Sequence, residues 1–184
     1  MSAEQLWAQC DGDAATSYGA IAYGGGRMTN DDWTRLARRM SEISEAPLLL
    51  NCTPAADLDA LCAEVLTLNE RGHLALVAVD PINMIRTRTE PNANRERELS
   101  LIARRLKTLA LELEVPVVVT AELGRTVDGR PDHRPIIGDL RVGDVLAQAA
   151  DTVILLFRPD YYERDDPRSG EIDLIVAKHR NGPT

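Results

Sequence analysis

The amino-acid sequence predicts an α/β fold, a mostly parallel β-sheet with flanking helices. Apolar runs of strand length recur at residues 74–80, 115–121, 152–157 and 172–177. They alternate with segments of helical periodicity, the order that builds parallel sheets through helical crossovers. Their side chains are almost all valine, leucine, isoleucine or alanine, as in strands buried on both faces. At 184 residues the chain suits one domain with a substantial core, and no internal repeat or domain boundary is visible.

Composition narrows the class. A hydrophobic content of 44% and a charged content of 27% are ordinary for a soluble globular protein. No apolar run approaches the roughly 20 residues that span a bilayer, so no membrane partner is expected. Cys10, Cys52 and Cys62 have neither CxxC nor histidine spacing. No disulfide framework or zinc site is expected of them; they read as buried small hydrophobes, and a reducing cytoplasm fits. The net charge of −8 argues against coating nucleic acid by bulk attraction but leaves room for a few local phosphate contacts. Lys107 and Lys178 are the only lysines.

Taken in order, Ser2 and Gln5 have capping-box spacing before Leu6 and Trp7. Gly24, Gly25 and Gly26 lead into Arg27, Met28 and Thr29. A phosphate-cradling loop requires Gly-Lys-Ser/Thr there, so a flexible turn is favoured. Thr29 and Asp32 start a helix with an apolar face of Trp33, Leu36, Ala37, Met40 and Ile43. Residues 47–51 read as a short strand. Thr53 then caps a helix with Pro54 at its first position and Leu58, Leu61, Cys62, Val65 and Leu66 on one face.

The next run, residues 74–80 (Leu-Ala-Leu-Val-Ala-Val-Asp), organises the rest. In α/β folds ligands sit at the carboxyl ends of such strands, so an apolar strand that stops on Asp80 has the form of a Walker B element. A turn aspartate fits the same pattern equally well. After a polar loop at 87–95, the longest helix is expected over residues 95–114, with Leu99, Ile102, Ala103, Leu106, Leu109, Ala110 and Leu113 inward. Residues 115–121 form a second strand ending at Glu122. Residues 125–138 form a loop too long for a mere connection, and such loops tend to carry function. A short helix follows near residues 145–150, then a strand at 152–157, a polar excursion with Tyr161 and Tyr162, and a strand at 172–177.

Four stretches in this order resemble the RecA-type motor domain of DnaB replicative helicases. Residues 1–6 (Met-Ser-Ala-Glu-Gln-Leu) are similar to the start of a helix that follows that family's second core strand. Residues 76–80 resemble its Walker B strand. Asp139-Leu140-Arg141, with Gln148, Ala150 and Asp151 beyond, resembles its DNA-loop region, and Lys178-His179-Arg180-Asn181-Gly182-Pro183-Thr184 matches its terminal motif. The resemblance runs from end to end and implies a RecA-like P-loop NTPase core.

It implies roles as well. Asp80 holds the magnesium of bound ATP, and Arg125 joins it at the nucleotide. Lys178 and Arg180 reach a neighbouring subunit's γ-phosphate, with Arg180 as the arginine finger. Arg141, Gly143 and Arg95 face single-stranded DNA in the channel of a ring. Glu122 falls at the catalytic position where the family has a γ-phosphate-sensing glutamine, and a carboxylate there is expected to repel the phosphate. Val142, Asp144, Pro81 and Asn83 also depart from the family pattern.

In the family the P-loop and the glutamate that polarises water lie upstream of the helix where residue 1 falls. Lys107 stands in mid-helix after Leu106 and cannot replace the P-loop lysine. In the family the P-loop strand also belongs between residues 115–121 and 152–157, and another upstream strand between residues 48–50 and 74–79, so two gaps are expected in the sheet. The function expected is thus a motor-domain segment of a replicative DNA helicase that does not hydrolyse ATP alone. The alternative is a catalytically dead helicase-like subunit that docks on full-length subunits of a ring and supplies Arg180 in trans.

Overall fold

The structure is a computed structural model and describes residues 29–31, 33–34, 37–38, 47–52, 56–88, 94–141 and 143–184. The stretch at 1–6, the glycines at 24–26 and the Thr53-Pro54 cap lie outside the described residues. The chain divides into two units at Pro54 and Ala55.

In the first unit, residues 30, 31, 33, 34, 37 and 38 are helical. The Trp33 amide donates to the Thr29 carbonyl at 3.1 Å and the Thr34 hydroxyl to the Asn30 carbonyl at 2.9 Å. Trp33 and Ala37, expected to face a core, are exposed. Residues 47–51, expected as a strand, form no ladder among the described residues, and Leu48, Leu49 and Leu50 are exposed. Cys52 is exposed too, against the expectation of a buried thiol, whereas Cys62 is buried.

The second unit is built on a βαβ element. Helix α1 spans Leu58–Gly72. It starts where Asp57 takes the capping position and accepts a hydrogen bond from the Ala60 amide at 3.1 Å. That satisfies one of the orphan donors of the first turn. Strand β1 (Val77–Val79) leads through a 3₁₀ turn (Ile82–Met84) to helix α2 (Arg95–Leu113) and strand β2 (Val117–Val119). β1 and β2 pair in parallel, with Val77 opposite Val117 and Val79 opposite Val119. A parallel pair needs such a crossover, and α2 supplies it.

One core results. Leu58, Cys62 and Val65 of α1, Val77 and Val79 of β1, and Leu99, Ile102, Leu106 and Leu109 of α2 pack with Ile82, Ile85 and Val115. Burial of each large aliphatic side chain is worth roughly 1.5–3 kcal/mol. The strands are not buried on both faces as expected: Ala78 is exposed and Val118 keeps 51% of its surface. Val77 and Val79 share one face of the strand, and that face lies in the core with side chains of α1 and α2.

Helix α3 (Gly143–Ala149), strand β3 (Thr152–Phe157) and strand β4 (Asp173–His179) complete the order. β3 and β4 are antiparallel, with Thr152 opposite His179 and Phe157 opposite Asp173. The parallel expectation therefore holds for β1 and β2 only. The link from β3 to β4 carries a 3₁₀ turn (Pro159–Tyr161) and no crossover helix, so it returns the chain antiparallel. β4 also runs past residue 177 and takes Lys178 into the ladder. Among the described residues the strands form two separate pairs, β1 with β2 and β3 with β4. One face of the β3–β4 pair, with Ile154 opposite Val176 and Leu156 opposite Leu174, is open: Leu156 is 62% and Leu174 66% exposed.

The long loop closes on one buried carboxylate. Asp139 is 4% exposed and accepts from the Thr126 hydroxyl at 2.9 Å, the Ile136 amide at 2.7 Å and the Arg130 guanidinium. Burial pushes its carboxyl upward, but these donors outweigh burial and hold it below the usual range.

Candidate functional site

The carboxyl ends of β1 and β2 gather a polar cluster. The register puts Asp80 beside Thr120, whose hydroxyl donates to the Asp80 carboxylate. The Thr120 amide donates to the Val79 carbonyl at 3.0 Å, and the Thr120 carbonyl accepts from the Ile82 amide at 3.0 Å. This fixes the 3₁₀ turn against β2. Asn83 on that turn donates through Nδ2 to Glu122 Oε1 at 3.2 Å. Asp80 itself is exposed, and the Thr120 hydroxyl bonds one of its two oxygens.

Beyond β2 the chain at 122–124 runs against 139–141. Leu123 pairs with Leu140, the Gly124 amide donates to the Asp139 carbonyl at 2.6 Å, and the Arg141 amide to the Glu122 carbonyl at 3.3 Å. The pairing brings the Arg141 guanidinium to 3.3 Å from Glu122 Oε2. Glu122 is therefore not an isolated anion; Arg141 balances its charge. With side chains 75% and 53% exposed the pair adds little stability. Its consequence is local: the position expected to sense phosphate touches the residue expected to face DNA.

Arg95, expected to face DNA, makes several contacts within the turn and helix start. At the start of α2 it donates to Glu98 and to the carbonyls of Asn83 at 2.9 Å and Ile85 at 3.1 Å. Its donors tie the 83–85 turn to the helix, and its side chain is 32% exposed. Glu98 also accepts from the Thr87 amide at 2.8 Å. Burial acts upward on its carboxyl, but these donors keep it below the usual range. Arg125 is exposed at the head of a 3₁₀ turn (Arg125–Gly129) and joins none of these contacts. Gly143 is the first residue of α3.

Lys178 and Arg180 meet at the other end of α3. Lys178 Nζ donates to the carbonyls of Ala147 and, at 2.8 Å, of Ala150. Arg180 NH2 donates to the Gln148 carbonyl at 3.2 Å. Both cations thus cap carbonyls that a helix end leaves unpaired. Arg180 Nε also meets Asp151 at 3.1 Å, and its side chain remains 49% exposed. Sequence reasoning missed Thr120, the Asp139 staple and the Lys107 contact to Asp151. Among the described residues no group of three or more histidine, cysteine or acidic side chains could hold a metal. That is compatible with magnesium carried on nucleotide phosphates, where one or two carboxylates are the usual protein share.

An aspartate at the carboxyl end of a parallel pair, a polar cluster beside it and basic residues at the end of the last strand are compatible with a RecA-like ATPase domain, and solved structures place the chain in that class. A DnaB-like replicative helicase, solved with a study of its interactions with primase, superposes with a TM-score of 0.81 at 29% identity, over 89% of this chain and 39% of that one. A second solved ATPase domain gives a TM-score of 0.80 at 29% identity, over 89% of this chain and 58% of its own. The family model of the DnaB-like helicase C-terminal domain matches residues 1–184, and the chain belongs to that family. It is 52% identical over 159 residues to the replicative DNA helicase DnaB of Mycobacterium leprae, covering 86% of this chain and 26% of the relative. With DnaB of Geobacillus stearothermophilus it is 37% identical over 158 residues, covering 86% and 35%. The chain thus spans about a quarter to a third of the length of these relatives.

Proposed function

We propose that this chain supplies part of the motor of a replicative DNA helicase that encloses single-stranded DNA in a ring and binds ATP between neighbouring subunits. Asp80 bears on the magnesium of a nucleotide at the edge of β1 and β2. Arg180, with Lys178, serves the γ-phosphate held by the next subunit. Arg141, at the entry to α3, faces DNA with Gly143. Arg95 acts as a structural tie of the 83–85 turn. The 184 residues contain no Gly-Lys-Ser/Thr, so the phosphate loop comes from outside this sequence and the chain by itself does not turn over ATP. ATP and magnesium are the cofactors of the assembled site, and replication places it in the cytoplasm.

The observation that supports this reading most is Arg180 itself, half-exposed just past β4 and anchored from behind by α3 and Asp151. The test is complementation. A DnaB-type helicase whose own finger arginine is replaced by alanine should regain ATP hydrolysis when mixed with this chain, and not with Arg180→Ala. No recovery with the unaltered chain overturns the reading.

A further inference from the structure

The geometry points to Asp151 as the residue that positions Arg180, with Lys107 as the anchor of Asp151. This inference rests on the reading of Arg180 as a finger. A guanidinium carries five N–H groups in a rigid plane. In Arg180 the Nε atom lies 3.1 Å from Asp151 Oδ1 as an ion pair, and NH2 donates to the Gln148 carbonyl at 3.2 Å and the Ala150 carbonyl at 3.5 Å. NH1 has no hydrogen-bond partner among the described residues. The Arg180 amide also donates to the Asp151 carbonyl at 2.8 Å, because Asp151 directly precedes the ladder in which Thr152 faces His179. Main chain and carboxylate of one residue together hold the start of the Arg180 side chain and the charge of its guanidinium in place, while the two carbonyls orient NH2.

The second oxygen of Asp151 receives Lys107 Nζ. Lys107 stands on α2, the helix whose Ile102 and Leu109 are wholly enclosed. A chain of contacts therefore runs from the rigid core through Lys107 and Asp151 to Arg180. The hydrogen bond from Lys107, with the charges of Lys107, Arg180 and Lys178, keeps the Asp151 carboxyl below its usual range, so it is ionised at neutral pH. Asp151 is 51% exposed, and pairs this open add little to folding. Its effect is on orientation: it holds in place a guanidinium whose planar fork can meet two phosphate oxygens.

The experiment uses the complementation assay with Asp151→Asn, Asp151→Glu, Lys107→Met and Arg180→Ala in the full chain. Asp151→Asn should lower kcat of the restored hydrolysis about tenfold and leave the KM for ATP within about twofold, because misorientation acts on the transition state rather than on binding. Asp151→Glu, which keeps the charge, should recover most of that loss, and Lys107→Met should cost about threefold. The ¹H–¹⁵N signal of Arg180 Nε–H, identified by its absence in Arg180→Ala, should shift in Asp151→Asn while the melting temperature stays put. Unchanged kcat in Asp151→Asn, with Arg180→Ala inactive, overturns the positioning role and leaves the finger intact. A loss that tracks a lower melting temperature and is not recovered by Asp151→Glu also overturns it. Full recovery with Arg180→Ala overturns the finger reading and, with it, the role given to Asp151.

Discussion

Ile102 on α2 offers a direct test of how the core is arranged. Its side chain is 0% exposed, whereas Leu101, its neighbour on the same helix, is 48% exposed. Ile102→Val deletes one buried methylene, worth about 0.8 kcal/mol in transfer, with a total cost of about 1 kcal/mol. Ile102→Ala removes three carbons, about 2.4 kcal/mol at the same rate. The cavity left in the core cluster adds to this and brings the cost to about 3–4 kcal/mol. For a chain of this length that lowers the melting temperature by roughly 6–15 °C. Leu101→Ala deletes a side chain of equal size on the outer face and should cost less than about 0.5 kcal/mol. Urea titrations of the three variants, read by circular dichroism, give the comparison. Equal losses for Leu101→Ala and Ile102→Ala would refute the assignment of the two faces of α2, and with it the anchoring of Lys107 to a rigid helix.

Two further predictions concern the loop beyond β2. Arg141→Ala should weaken binding of a fluorescent oligothymidylate and reduce the salt slope by about 0.7, the contribution of one phosphate contact to a single strand; Glu122→Gln, which releases the Arg141 charge, should tighten binding, and anisotropy unaffected by either change would count against DNA at this loop. Asp139 should make the chain acid-sensitive. Its folded carboxyl lies below the ordinary value of 3.8, so on acidification the unfolded chain takes up the proton first. The stabilisation is complete above that value and is lost as pH falls through the lower folded one. Asp139→Asn should lower the urea midpoint at neutral pH, with the gap to the parent closing as the pH falls below 3.8.

Helix α2 was legible because 19 residues of unbroken period specify one face, and every residue expected inward is buried or partly buried. The start of α1 was not, because Thr53 before Pro54 and Asp57 before Leu58 both satisfy the chemistry of a cap. The sequence of a strand such as Val77–Val79 says that it is apolar but not which elements arrive to cover it, and only one face is covered. The site shows the same division. Asp80 and Arg180 were legible as residue types at strand ends, but their partners were not. Thr120 lies 40 positions from Asp80 and Lys107 lies 44 from Asp151, and no local pattern links positions so far apart. Glu122 appeared as a misplaced anion because Arg141, 19 positions away, is brought to it only by the pairing of Leu123 with Leu140.

Lys178 has two employers. Its ammonium group closes the carbonyl end of a helix of 7 residues, and under the proposed function the same group also serves a phosphate. A helix so short has little cooperativity of its own and depends on its ends. Selection therefore cannot adjust this lysine for catalysis while leaving folding alone: a replacement that keeps the charge but shortens the reach uncaps α3, and one that holds α3 with a neutral donor forfeits the charge. The two constraints meet on a single nitrogen atom, which leaves the position few tolerable substitutes even on a surface where charged side chains ordinarily drift.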